Sequence, residues 1–179
     1  MNIWKDIREN RVTEERFIAC VEISKGGKQK YELDKETGRL ILDRVLYSAT
    51  HYPANYGFIP LTYADDNDPL DVLILCQEEL VPLCLVECYP IGVIKMIDSN
   101  EVDEKIIAIP FGDPSLACYK HIDELPQHVL LEMRHFFEVY KILEGKQTFV
   151  LDTGGPEEAK NIIRKSIFNY KEKIGKKVN

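Results

Sequence analysis

The sequence predicts an α+β fold in which short strands form a closed or partly closed antiparallel barrel, followed by two helices. Short apolar and β-branched runs separated by turn residues fill most of the chain up to residue 111. Two stretches nearer the C-terminus carry apolar residues at helical spacing instead. The chain of 179 residues contains no repeat, low-complexity tract or linker, so we expect a single domain spanning residues 1–179.

The predicted strands are short, and turn residues separate them. Gly26 and Gly27 mark one turn, and residues 34–38 form a hairpin connection in which Gly38 suits a positive φ. Residues 47–60 are dense in aromatic residues, Pro and Gly, which predicts an ordered loop. The predicted strands are residues 17–23, 29–33, 39–46, 72–76, 83–88, 91–97, 105–111 and 148–151.

Two helices are predicted after residue 125. Pro126 suits a first helical turn, and apolar residues follow at helical spacing up to Gly145. The second helix opens at residues 154–158, with acids in its first turn. Lysines that include Lys176 and Lys177 stand at its end, an arrangement that complements the helix dipole.

Composition limits the function classes. A net charge of −7 argues against a nucleic-acid groove, because binding to the phosphate backbone depends on surplus Lys and Arg. The five cysteines lack paired zinc spacing and are mostly set in apolar runs, as is typical of reduced core thiols in a cytosolic protein. No apolar signal region or membrane-length stretch is present, so we expect a cytoplasmic protein without a membrane partner.

The stretch of residues 65–71 places four carboxylates within seven positions, immediately before a predicted strand. Like charges this close repel unless a cation lies between them, and Mg²⁺ or Mn²⁺ prefers oxygen ligands. A solvated acidic turn is the alternative. The pattern is not an EF-hand loop: counted from Asp66, the sixth and twelfth positions hold Asp71 and Gln77 instead of Gly and Glu.

Charged residues also recur within the predicted barrel strands. Glu22 shares a strand face with apolar neighbours, Lys30 shares one with Glu32, and Arg44 shares one with leucines. A charged side chain that points into a barrel destabilises the fold unless it is paired with an opposite charge or has a functional role. A structural salt-bridge network would explain any one of these residues, but together they indicate the wall of a polar cavity.

A second acidic loop lies within residues 95–105 and joins two predicted strands. Asp103 and Lys105 share strand parity, so their side chains are expected on one face. Acidic hairpins are common, and this loop alone says little. Paired with residues 65–71, it would close the other side of a metal cluster.

Three tyrosines and one lysine have two possible explanations each. The ring of Tyr52 is explained by core packing, whereas Tyr56 beside Gly57 can present its hydroxyl to a phosphate oxygen. Tyr140 lies on the apolar stripe of the first helix, with Lys141 next to it. Packing and solvation account for that pair without a functional role.

Taken together, these pieces resemble the family I soluble inorganic pyrophosphatases of the prokaryotic type. The run Asp66-Asn67-Asp68-Pro69-Leu70-Asp71-Val72 fits the family signature at every position. The likeness extends from about residue 22 to residue 141, and the two ends, residues 1–16 and 146–179, resemble the family only loosely. Further matching stretches are residues 30–34, 43–44, 52–57, 92–96 and 135–141.

The resemblance implies an OB-like five-stranded antiparallel β-barrel with additional strands and two C-terminal helices. It also implies Mg²⁺-dependent hydrolysis of pyrophosphate to two orthophosphates by direct attack of a metal-activated water, with Mn²⁺ or another hard divalent ion as a possible substitute. Pyrophosphate and phosphate would be the ligands. Relatives of this type are commonly homohexamers, so a homohexamer is the implied assembly.

Individual roles are implied residue by residue. Asp68 would be the general base. The metal-binding carboxylates would be Asp66, Asp71, Asp98, Asp103 and Glu32. The groups in contact with phosphate oxygens would be Lys30, Arg44, Tyr56, Tyr140 and Lys141. Glu22, Tyr52 and Lys105 would complete the pocket. Ser99 departs from a close family pattern, which has a second acid beside Asp98, and this weakens the expected additional metal site.

Three other functions remain open at this point. Another Mg²⁺-dependent phosphohydrolase would need a pocket for a base or sugar, and the sequence indicates none. A non-catalytic OB-type module for oligonucleotides would need a basic groove studded with aromatic residues. A family member without activity would lack positions that the chemistry needs, and all of those positions are present.

Overall fold

The structure is a computed structural model that describes residues 2–175. Lys176 and Lys177, predicted at the end of the second helix, lie outside the described residues. The strands are β1 (Phe17–Ile23), β2 (Gln29–Leu33), β3 (Leu40–Val45), β4 (Asn55–Ile59), β5 (Leu70–Ile74), β6 (Leu85–Asp98), β7 (Glu101–Pro110) and β8 (Thr148–Gly154). The α-helices are α1 (Gln127–Val139) and α2 (Pro156–Lys173).

Five strands close into a barrel. Their order is β1-β4-β5-β7-β6, and β6 pairs back onto β1. All of these pairings are antiparallel except that of β5 with β7. β5 and β7 run parallel because the intervening strand β6 returns the chain to the end where β5 began. The predicted five-stranded barrel is therefore confirmed, with one parallel pair that strand patterning alone did not indicate.

The remaining elements surround this barrel. β8 extends the sheet at the edge of β6, and β2 pairs with β3 as a separate two-stranded hairpin. α1 buries Met133, Phe136 and Phe137 against one apolar cluster. α2 packs the apolar stripe that includes Ile163 into a second cluster. Both helices follow the predicted apolar spacing.

Several element boundaries shift by a few residues, and β7 begins at Glu101 instead of residue 105, but three differences are larger. Residues 55–59, predicted as part of an ordered loop, form the buried strand β4, because Gly57 allows the closest approach to β1. A Cβ at Gly57 would lie 1.9 Å from the carbonyl oxygen of Cys20. The two strands predicted over residues 83–88 and 91–97 are one strand, β6, which passes Pro90 at a register shift. The first helix ends at Val139, before the predicted Gly145, and a 3₁₀ turn at Ile142–Glu144 follows.

The cysteines are only partly in the core. Cys20 and Cys88 are fully buried, and burial raises the pKa of the Cys20 thiol to about 12. Cys76 and Cys84 are half-buried, and Cys118 is exposed, contrary to the expectation of core thiols. All five are free thiols. Within residues 2–175, no helix is both long enough and apolar enough to span a bilayer.

Candidate active site

One end of the barrel opens into a polar cavity of about 260 Å³. Every barrel strand contributes a side chain to its wall, and the rest come from the β2–β3 hairpin, the loop before β5 and the end of α1. The wall carries seven carboxylates and four lysines, so the cavity is strongly acidic. The predicted site residues that line it are Glu22, Lys30, Glu32, Tyr56, Asp66, Asp68, Asp71, Asp98, Asp103, Lys105, Tyr140 and Lys141.

Lys105 lies at the centre of this arrangement and is only 2% exposed. Its Nζ lies 2.7 Å from Asp71 and 3.0 Å from Asp103, and it donates to the Tyr56 hydroxyl at 2.9 Å. The parallel register pairs Asp71 with Lys105, and Asp103 precedes Lys105 by two residues on β7, so the predicted common face is confirmed. Burial opposes the charge on Lys105, but Asp103 and Asp71 outweigh it and raise its pKa.

Two tyrosines connect this centre to the core. The Tyr56 hydroxyl donates to Asp71, and burial raises its pKa well above the ordinary value. Tyr52 packs against the rings of Tyr56 and Phe136, with centroid distances of 5.2 Å and 4.7 Å. Tyr52 lies behind the cavity wall and supports Tyr56, as its predicted packing indicates. Tyr140 lines the cavity from the end of α1.

The stretch 65–71 divides into inward and outward carboxylates. Asn67 adopts a positive φ of 69°, and the Asp68 N–H donates to Asp66 Oδ1 at 3.0 Å. Asp71 lies on β5, where the strand fixes its direction. Asp65 instead pairs with Lys165 on α2 at 2.7 Å and does not line the polar cavity. The local sequence gives no means of separating Asp65 from its three neighbours.

Crowding of the carboxylates raises several pKa values. Burial, together with the charges of Asp71 and Asp103, raises the pKa of Asp66 to about 6. Burial also raises the pKa of Asp103. Glu22 occupies a bulge in β1 and accepts from the Leu33 N–H at 2.7 Å, yet burial raises its pKa to about 8. A cation placed among these groups would relieve their repulsion.

Asp98 is the last residue of β6, and Ser99 follows it in the turn to β7. Asp98 forms an ion pair with Lys141 and accepts from the Ser99 hydroxyl at 3.0 Å. Burial alone would raise the pKa of Asp98, but Lys141 and the Ser99 hydroxyl outweigh that effect and lower it. Ser99 and Asn100 both adopt positive φ in the tight turn that joins β6 to β7.

The β2–β3 hairpin brings three of its charged residues to the cavity, but not Arg44. Lys30 forms an ion pair with Glu32, and both residues line the cavity. Arg44 is held beside the cavity by Glu144, at 2.8 Å from Nε, and by Asp43. Its Nη2 is buried without a hydrogen-bond partner among the described residues. Lys35, which the sequence analysis missed, lines the cavity from the connection between β2 and β3.

The donor set of the cavity suits a hard divalent cation, since carboxylate oxygens predominate and four lysines balance only part of the charge of seven carboxylates. Within residues 2–175, no three His, Cys, Asp or Glu side chains are already gathered around a common metal position. The ion pairs explain why: Lys105 lies between Asp71 and Asp103, and Lys141 contacts Asp98. The lysines thus occupy the carboxylates that a metal would use.

Comparisons with known proteins agree with this geometry. Residues 19–171 match the family described as inorganic pyrophosphatase. The soluble inorganic pyrophosphatase 2 of Chlamydomonas reinhardtii is 46% identical over 170 residues, which cover 94% of this chain and 88% of that protein. The chain belongs to the inorganic pyrophosphatase family. The family predicted from the sequence is confirmed.

Solved pyrophosphatase structures share the fold. The inorganic pyrophosphatase of Thermus thermophilus has a TM-score of 0.91 and 36% identity, covering 96% of this chain and 99% of that one. The inorganic pyrophosphatase of Helicobacter pylori has a TM-score of 0.89 and 40% identity, covering 93% of this chain and 99% of that one. The α+β, OB-like fold class is confirmed. Pyrophosphatases of this family are metal-dependent, in agreement with the acidic cavity.

Proposed function

We propose that this pyrophosphatase hydrolyses inorganic pyrophosphate to two orthophosphates in the polar cavity, with Mg²⁺ as its metal and Mn²⁺ as a possible substitute. The observation that carries the proposal is the charge arrangement of the wall, where seven carboxylates meet four lysines. Carboxylates suit a hard metal ion, and lysines suit phosphate oxygens. Both sets are needed for a small, highly charged anion.

The metal would be held by the carboxylates that lie closest together in the cavity. Asp66, Asp71 and Asp103 lie together, and Asp66 and Asp103 have raised pKa values. Asp98 and Glu32 would supply further metal contacts at the rim. When bound, the metal would lower the pKa of a coordinated water and neutralise phosphate charge. Ser99 contributes a hydroxyl where an acid would bind a cation more strongly.

The phosphate-binding groups in this proposal are Lys30, Lys141, Tyr56, Tyr140 and Arg44. The two lysines are each paired with a carboxylate that the proposal assigns to metal, Glu32 for Lys30 and Asp98 for Lys141. A carboxylate that turns to a metal releases its lysine, which can then bind a phosphate oxygen. Arg44 would bind phosphate through its unpartnered Nη2 while Glu144 keeps hold of Nε. These groups stabilise the charge that develops on the leaving phosphate.

Asp68 is proposed as the general base. It lines the cavity and follows Asp66 by two residues, so its carboxylate can accept a proton beside the metal ligands. Glu22 and Lys105 would hold the surrounding charges in place, with Tyr52 packed behind Tyr56. The whole unit would be residues 1–179 acting as one domain.

The biological setting follows from composition and family resemblance. The net charge of −7 supports a small anionic substrate taken with metal, and argues against nucleic acid as a partner. We propose a cytoplasmic enzyme without a membrane partner that assembles as a homohexamer. Sedimentation velocity on the full chain would test the assembly.

Substrate choice is tested by phosphate release from pyrophosphate, ATP and p-nitrophenyl phosphate while Mg²⁺ is titrated from zero. The cavity of about 260 Å³ lies below the range of about 300–1,000 Å³ that is usual for pockets of drug-sized ligands, so turnover of pyrophosphate alone is expected. Comparable cleavage of ATP or the ester would replace the proposal with a broader phosphohydrolase. No turnover of any substrate would reject catalysis.

The role of Asp68 is tested by Asp68→Asn, with Asp65→Asn as the matched control. Asp68→Asn should lower kcat by about 100-fold or more, because general bases contribute roughly that much, while Mg²⁺ binding is largely retained. Asp65 belongs to the same stretch but pairs with Lys165, so its variant should keep normal turnover. Near-normal turnover in Asp68→Asn would remove that residue from the role.

A further inference from the structure

Lys35 is the cavity lysine to which the proposed function gives no role. It lies in the connection between β2 and β3, and its Nζ forms an ion pair with Asp68 Oδ1. Both residues line the cavity, and Asp68 belongs to the loop that leads into β5. The lysine therefore contacts the residue proposed as general base, from a separate element of the fold.

Asp68 has few other restraints on its carboxylate. Its side chain is 49% exposed, although Oδ1 itself is buried and accepts no directed hydrogen bond among the described residues. Its backbone N–H is fixed by Asp66, but that bond leaves the side-chain torsions free. An ammonium group beside Oδ1 supplies the missing restraint through charge, which does not demand a single bond direction.

Lys35 is itself held by the N-terminal segment. Its carbonyl oxygen accepts from Asn2 Nδ2 at 2.8 Å, and its Nζ lies 6.0 Å from the Trp4 ring centroid. Trp4 is buried, and its Nε1 donates to the Thr62 carbonyl at 2.9 Å. The Thr62 hydroxyl accepts from the Leu70 N–H at 2.8 Å, at the start of β5. One short segment thus connects the two sides of the Lys35–Asp68 pair.

The other three lysines of the cavity differ from Lys35 in one respect. Lys30, Lys105 and Lys141 each pair with a carboxylate that the proposed function assigns to metal. Bound metal would separate those lysines from their carboxylates, whereas Asp68, the partner of Lys35, is assigned to the base and would stay paired with the lysine. The Lys35–Asp68 contact can therefore persist through the reaction.

We propose that Lys35 is a positioning residue that holds the Asp68 carboxylate in the orientation it needs as general base. The proposal rests on the proposed function, because it acts through Asp68. Misplacing a catalytic group by about 1 Å can cost as much as 100-fold in rate. Losing the Lys35 contact leaves the backbone bond to Asp66 in place, so a smaller cost is expected, about tenfold in kcat.

The test compares Lys35→Met, Lys35→Arg and Lys25→Met in full-length protein with pyrophosphate and Mg²⁺. Lys35→Met should lower kcat about tenfold with KM changed less than about twofold, and Lys35→Arg should restore most of the loss. Lys25 is an exposed lysine on a neighbouring turn, and its variant should match the wild type. The Lys35–Asp68 pair is half exposed, so melting temperatures should shift by less than about 4 °C.

Two further measurements separate positioning from other roles. In an Asp68→Asn background, Lys35→Met should cause no further loss of kcat, because its effect passes through Asp68. Calorimetric Mg²⁺ binding without substrate should be unchanged in Lys35→Met. A raised KM with normal kcat would make Lys35 a phosphate ligand, and a weaker Mg²⁺ isotherm would make it part of the metal site. Either result overturns the proposal, as does unchanged kcat or an equal loss in the Asp68→Asn background.

The proposed function can fail separately from this inference. Wild-type protein that does not turn over pyrophosphate would reject the proposed function at once. Active wild-type protein with a Lys35→Met variant of normal kcat would reject only the positioning role.

Discussion

Replacing Lys105 by Met should destabilise the metal-free protein far more than replacing a lysine that is less buried. The ammonium group of Lys105 is buried and lies 2.7 Å from Asp71 and 3.0 Å from Asp103. Met keeps most of the aliphatic length of Lys105, so little volume is lost. The change therefore removes the charge and leaves the two carboxylates without their partner.

The magnitude follows from burial. Removing one member of a buried ion pair costs about 3–5 kcal/mol, because a charge is left uncompensated. Asp71 and Asp103 keep 24% and 14% side-chain exposure, so water can screen part of the remaining charge. We therefore expect the lower end of that range, about 3 kcal/mol of unfolding free energy.

Urea unfolding at one fixed protein concentration measures this cost, with and without saturating Mg²⁺. Lys95→Met is the matched control: Lys95 lies on the neighbouring strand β6 and pairs with Glu158 at 2.7 Å, but the two side chains keep 26% and 44% exposure. That variant should lose at most about 1 kcal/mol. Mg²⁺ should restore much of the stability of Lys105→Met, because the metal takes over the vacated carboxylates and binds more tightly than in the wild type.

Two results would refute this reasoning. A loss below about 1 kcal/mol in metal-free Lys105→Met would mean that the carboxylates do not need the lysine. A large loss that Mg²⁺ leaves unchanged would mean that lysine and metal do not share ligands.

Three further predictions concern the metal site and the barrel. Because Asp66 has a pKa of about 6, Mg²⁺ affinity measured by calorimetry should fall as pH drops below 6, where protons compete for the carboxylate, and this pH dependence should weaken in Asp66→Asn. Ser99→Asp should tighten the weakest Mg²⁺ site by about tenfold in the presence of a substrate analogue, since it adds a charged oxygen ligand; an unchanged isotherm would exclude Ser99 from that site. Gly57→Ala should cost about 3 kcal/mol or more in urea unfolding, because its Cβ would meet the Cys20 carbonyl; an unshifted midpoint would contradict this.

Local patterns in the sequence predicted those parts of the site that depend on one strand or one motif. Strand parity placed Asp103 and Lys105 on one face, and both helices followed their apolar spacing. The pairing of Arg44 with Glu144 was not predictable, because it joins residues one hundred positions apart. The ion pair of Lys35 with Asp68 depends in the same way on tertiary contact between separate loops.

Irregularities in the strands account for the other differences between the structure and the strands and faces predicted from the sequence. Glu22 reaches the cavity from a bulge in β1, and the register of β2 against β3 shifts after Lys30. An extra residue in a strand reverses the face of every residue beyond it, so parity counted from sequence fails at a bulge. The strand β4 was missed because Gly57 weakens a strand pattern, although contact with β1 requires it.

The parallel pairing of β5 with β7 also bears on how the protein reaches its native state. In sequence β6 lies between these two strands, so β7 can pair with β5 only after β6 has been traversed. The barrel closes only when β6 also pairs with β1. Contacts between residues so distant in sequence form slowly, because the chain loses the conformational entropy of the intervening loop before the contacts stabilise it. Asp71 and Lys105 lie opposite each other in the pairing of β5 with β7. Because the residues that line the cavity run from Glu22 to Lys141, a nascent chain can complete the cavity only after Lys141 has been added.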